Sequence, residues 1–103
     1  MLNAQEIKKL KTLLTKEDDR LPIVFNALSD PKRCLIFRSF LKQDRLCVSD
    51  IAKTLGISMS LASQHLKILE ITGLLTRERE GRVIYFRPKV SDELVRTIIK
   101  AVA

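Results

Sequence analysis

The 103-residue chain is long enough for one small domain, and a domain of this size often gains core by pairing with a copy of itself. Hydrophobic residues make up 46% of it, which excludes a disordered segment, and 19 Lys and Arg against 12 Asp and Glu give a net charge of +7 that favours a polyanionic partner, nucleic acid or an anionic membrane surface. No apolar run is long enough to cross a bilayer, the N-terminus lacks a signal peptide's apolar core, and Cys34 and Cys47 lack disulfide-framework spacing, so a reducing cytoplasmic setting is expected.

In chain order, residues 3 to 17 carry Ile7, Leu10, Leu13 and Leu14 at helical spacing with lysines between them. Such a helix suits a protein partner or a membrane surface, and the acids from Glu17 to Asp19 speak against the membrane. At "LSDPKRCLIFRSFLKQ" Asp30 caps a second helix with Pro31 in its first turn, and Cys34, Ile36, Phe37, Phe40 and Leu41 supply an apolar face. A short third helix follows at "CVSDIAKTLG", with Val48, Ile51, Ala52 and Leu55 inward, Ser49 as cap and Gly56 able to take the left-handed terminal conformation. Ser58 is placed to cap a fourth helix that ends near Gly73.

The period then changes. The run from Thr76 to Glu80 and the β-branched and aromatic run from Val83 to Phe86 meet at Gly81-Arg82, a connection a hairpin prefers. "SDELVRTIIKAVA" predicts a last helix capped by Ser91, with Leu94, Val95, Ile98, Ile99 and Val102 as an apolar stripe. The expected order is α-α-α-α-β-β-α, one domain over residues 1–103.

The fourth helix is divided into two unlike faces. At 100° per residue, Ser60, Ser63, Gln64 and Lys67 fall within about 100° of one another, with Ala62, His65, Leu66 and Leu69 opposite. Water-facing helix surfaces usually carry Glu, Lys and Arg; short serines and a glutamine instead suit close approach to a polar surface. Gln64 can make paired hydrogen bonds to a base edge, and Lys67 can reach a phosphate or a guanine. With the short helix before it, this forms a helix-turn-helix over about 48–72, shaped for a major groove. The hairpin over about 75–88 is a wing: Arg77, Arg79, Arg82, Arg87 and Lys89 against Glu78 and Glu80 leave it cationic, suited to phosphates or a narrow minor groove.

From Leu28 to Pro88 the chain resembles the winged-helix repressors of the ArsR/SmtB family, through "ALSDPKRCLIF", "LCVSDIAKTLGIS", "SMSLASQHLKILEITGLL" and "REGRVIYF". The resemblance implies DNA-reading positions at Met59, Ser60, Ser63 and Gln64. It also implies a homodimer joined by the first and last helices, here through Ile7, Leu10, Leu14, Leu94, Val95, Ile98, Ile99 and Val102. Such a dimer would bind an imperfect palindrome, its recognition helices roughly 34 Å apart, and release it when an inducer binds. The family's thiol-type metal sensors carry E-L-C-V-C-D-L where this chain has "RLCVSDI", so Cys47 is kept but Ser49 replaces the second thiol and Arg45 the acid. One thiolate cannot supply the three that soft ions require. The family's other metal site uses His and acids of the last helix; here Asp92 and Glu93 stand without a His. No metal or cofactor is therefore expected, and the inducer is unidentified.

His65, the single histidine, is expected as a packed, hydrogen-bonded core residue. A redox switch between Cys34 and Cys47 is an alternative, although the family's thiol switches use a last-helix cysteine that this chain lacks. A different class of function, a winged helix docking on a protein partner, would use the apolar end helices. An enzyme is not expected: there is no Gly-rich phosphate loop and no histidine near a nucleophile.

Overall fold

The computed structural model describes residues 1–15 and 19–103. Its first helix, α1 (Ala4–Thr15), is opened by a reciprocal cap in which Asn3 Oδ1 accepts from the Glu6 N–H at 2.8 Å and Glu6 Oε1 accepts from the Asn3 N–H at 3.2 Å. The expectation for residues 16 and 17 lies outside the described residues. Helix α2 (Arg20–Ser29) follows, then α3 (Pro31–Ser39). Asp30 starts α3 as its sequence demands, its carboxylate accepting from the Lys32 and Arg33 N–H groups at 2.9 and 3.0 Å. Arg33 turns back to donate from Nε to the Ala27 carbonyl at 2.8 Å, satisfying an orphan acceptor at the end of α2.

Strand β1 (Leu46–Cys47) leads into α4 (Val48–Leu55), and α5 (Met59–Ile71) completes the helix-turn-helix. Strands β2 (Leu75–Glu80) and β3 (Val83–Pro88) form the wing, and α6 (Glu93–Val102) closes the chain. The sheet is antiparallel in the order β1-β3-β2, with Cys47 opposite Tyr85 and Glu78 opposite Tyr85 on the other side. The fold is a winged helix: mostly helical, with a small antiparallel wing.

Two elements depart from the expected order. Helix α2 precedes the Asp30 cap where no helix was expected; Pro22 in its first turn costs no hydrogen bond, and Val24 and Ala27 face the core. Strand β1 is only two residues long and exists because β3 offers it a partner, so nothing local in the sequence announces it. Two caps also differ. Cys47, not Ser49, stands before α4, where Asp50 Oδ2 accepts from the Cys47 N–H at 3.0 Å and from its thiol at 3.2 Å. Asp92, not Ser91, caps α6 by accepting from the Leu94 N–H at 2.9 Å, and Arg20 holds the same carboxylate at 2.6 Å.

The core gathers Ile36 and Phe37 of α3, Ile51 of α4, Leu66 and Leu69 of α5, Leu75 and Phe86 of the wing, and Val95 and Ile98 of α6. The last pair is also expected at the dimer seam between the end helices. Val95 and Ile98 are 2% and 6% exposed within a single chain, so the protomer's own core explains them, while Leu94, Ile99 and Val102 pack half-buried beside it. Helix α1 is the opposite case: it has no buried residue, and Ile7, Leu10 and Leu14 all stand exposed, Leu14 at 65%.

Candidate nucleic-acid interface

The turn between α4 and α5 is built by three residues. Gly56 takes a left-handed conformation (φ 65°) that a side chain would strain, and the Ile57 N–H closes on the Ala52 carbonyl at 3.1 Å. Ser58 then opens α5, its hydroxyl accepting from the Leu61 N–H at 3.0 Å. On α5, Ala62, Leu66 and Leu69 are fully buried and His65 nearly so, which fixes the helix's rotation about its axis. Met59, Ser60, Ser63, Gln64 and Lys67 are all exposed as a consequence. Their face carries no acid; Glu70 lies a turn beyond, and its carboxylate is occupied.

That carboxylate accepts from Arg77 Nε and one terminal nitrogen at 2.6 and 2.8 Å, a paired contact from β2 to α5. Arg77 also lies over the Phe86 ring, 5.5 Å from its centroid. Of the wing cations expected to meet DNA, Arg77 is therefore held against α5, where it sets the wing's base. Arg79 is exposed and donates from Nε to the Gly81 carbonyl at 3.1 Å at the hairpin tip. Arg82 is exposed at that tip and makes no ion pair among the described residues. Arg87 lies with Nε 3.1 Å from Glu78 Oε2, at ion-pair distance without hydrogen-bond alignment.

Sequence reasoning missed the partners that arrange this surface: Glu70 for Arg77, and Arg45, which binds Glu78 at 3.4 Å and also Glu80. The Arg45–Glu78 contact joins residues 33 apart, and no local pattern marks it. His65 is buried as expected, and its Nδ1 has no hydrogen-bond partner among the described residues. Cys34 on α3 and Cys47 on β1 are both half-buried free thiols on separate elements, Cys47 donating to Asp50.

A family model described as a bacterial regulatory protein of the arsR family matches residues 30–77. The arsenical resistance operon repressor of Bacillus subtilis is 33% identical over 75 residues, which cover 73% of this chain and 70% of that protein. The chain belongs to the ArsR family. A homologue of the cadmium resistance regulator CadC from Staphylococcus aureus is 29% identical over 100 residues, 96% of this chain and 81% of that protein. Other curated relatives are longer, and the chain spans 52% to 58% of their length. Among solved structures, a homodimeric winged helix-turn-helix DNA-binding domain from Mycobacterium bovis, a possible ArsR-family regulator, superposes with a TM-score of 0.68. It is 26% identical, with 99% of this ArsR-family chain and 84% of that one covered. Family and fold are those of transcriptional regulators, which are not enzymes. No helix among the described residues is long and apolar enough to cross a membrane.

Proposed function

We propose that this ArsR-family chain is a cytoplasmic, homodimeric repressor that binds a palindromic promoter site, laying α5 in the major groove. The observation that carries this reading is the exposed face of Ser60, Ser63, Gln64 and Lys67, locked outward by the burial of Ala62, Leu66 and Leu69. Met59 stands at the start of the same helix, where N-terminal residues of a recognition helix meet base edges. Arg79 and Arg82 at the wing tip supply phosphate or minor-groove contacts. The bare apolar side of α1, through Ile7, Leu10 and Leu14, supports joining two copies there. Leu94, Ile99 and Val102 add the half-buried margin of α6.

The donor set argues against metal as the inducer. Cys47 is a single thiol beside Ser49, its Sγ–H committed to Asp50, and α6 offers Glu93 with no His or Cys to complete a site. The family's cadmium and arsenical sensors are relatives in fold and DNA binding under this reading, not in signal.

The test is fluorescence anisotropy of reduced protein on DNA from immediately upstream of its coding region, beside a scrambled duplex. Binding to the upstream DNA that weakens by roughly 10³-fold from ~50 to ~200 mM salt, with the scrambled duplex far weaker, is the expected result. No binding to either at low salt would favour a winged helix that docks on a protein partner.

A further inference from the structure

We propose that Arg45 is a positioning residue for DNA binding: it clamps the wing to the helix-turn-helix and pairs with the two wing carboxylates that would otherwise repel a phosphate backbone. The inference rests on the DNA-binding reading above and assigns part of that surface to a residue outside both the recognition helix and the wing.

Arg45 immediately precedes β1, at the edge of the sheet. Its guanidinium lies over the Tyr85 ring of the central strand, 4.0 Å from the centroid. From there it reaches the far strand, bonding Glu78 Oε1 at 3.4 Å and Glu80. One side chain thus reaches from the residue before β1 across β3 to β2. The register explains how: Glu78 stands opposite Tyr85, and side chains at these alternate positions share one face of the sheet. Arg87 adds a second cation against Glu78.

The other end of the clamp is equally fixed. Strand β1 runs into Cys47, whose N–H and thiol both bond to Asp50 inside α4. Tyr85 and Glu78 are therefore tied through Arg45 to the first helix of the motif, while Arg77 and Glu70 tie the wing's base to the second. Electrostatically, Glu78 and Glu80 are the wing's two acids; Arg45 pairs with both, and Arg87 beside Glu78 supplies the second positive charge that balances them. Arg79 and Arg82 at the tip are left as cations with no carboxylate bonded to them among the described residues. An isolated surface ion pair contributes little. This one differs because a single planar group is stacked on a ring and shared by two carboxylates, a geometry lysine cannot copy.

The test is a mutant cycle on the full chain, read as affinity for a random-sequence duplex by anisotropy at low salt. Arg45→Gln is expected to weaken binding by about tenfold and Arg45→Lys by less. Glu78→Gln/Glu80→Gln is expected to improve affinity at least about threefold more in the Arg45→Gln background than in the wild type, since only there are the carboxylates uncovered. Melting curves of each variant establish that it is folded. Arg45→Gln binding within about twofold of the wild type, Arg45→Lys binding more weakly than Arg45→Gln, or the paired glutamate change acting equally in both backgrounds would overturn the proposal. Wild-type protein that binds no duplex at all would overturn the DNA-binding reading itself.

Discussion

The primary amide of Gln64 both donates and accepts, so it can engage one base edge with two bonds, whereas under the proposed reading the Arg82 guanidinium would meet phosphates, which look alike in every sequence. Gln64→Ala should accordingly cost roughly 1–3 kcal/mol on the operator and little on random DNA. Arg82→Ala should weaken both by the same factor and reduce the salt slope by about one. Equal losses from Gln64→Ala on both duplexes would remove it from the reading face. A second residue-scale effect concerns Asp92. The Arg20 guanidinium beside it holds its carboxyl below the ordinary 3.8, helped by the Leu94 N–H it accepts from. A carboxylate depressed in the folded state stabilises the fold above its ordinary pKa, and that contribution is lost as pH falls through the folded value. Asp30 and Asp50 are lowered by backbone N–H groups, chiefly those of Arg33 and Cys47, and act in the same direction. Thermal melts of the wild type should therefore be level near neutrality and fall below about pH 4. Asp92→Asn should start lower and fall less steeply, and an unchanged acid slope would show that the Arg20 pair does not report on folding.

At the scale of elements, α1 and α6 look alike in sequence and differ in what covers them. Both carry leucine or isoleucine at helical spacing, but the stripe of α6 packs on the protomer's own core while that of α1 stays exposed among the described residues. Leu10→Glu/Leu14→Glu should leave the circular dichroism spectrum of the protomer intact and abolish the dimer in sedimentation velocity. Ile98→Ala should instead destabilise the protomer by roughly 2–5 kcal/mol, the usual cost of truncating a buried isoleucine. A double glutamate variant that still sediments as a dimer would move the seam away from α1. The helix-turn-helix and wing were legible because their signals are local: Ser58 and Asp30 cap within three residues, Gly56 marks a left-handed stop, and Gly81-Arg82 a hairpin. Helix α2 was not, since it opens without a side-chain cap and carries Pro22, which disguises its first turn.

For the molecule as a whole, the net charge of +7 is a property of composition, but which cations are available is a property of the fold. Arg77, Arg87 and Arg45 are engaged by Glu70, Glu78 and Glu80, which leaves the wing tip to present charge outward. A dimer formed through α1 also has a thermodynamic signature. The melting midpoint should rise when protein concentration is raised about a hundredfold, because association draws on the folded state alone. A midpoint independent of concentration would mark the protomer as the folding unit.

Much of this protein was determined by its sequence alone. The periodicity of α5 divides it into a packed side and a polar side, and short-range caps and turns place it after α4 and before a cationic hairpin. Those features depend on neighbours within about one helical turn, so the order of residues suffices to specify them. The tertiary structure decided the rest: that Val95 and Ile98 belong inside one chain, that a two-residue β1 exists, and that Arg45 meets Glu78 across 33 residues and Arg20 meets Asp92 across 72. Each of these depends on which surfaces are brought together when the core closes, and such encounters between distant residues leave no periodic mark in the chain.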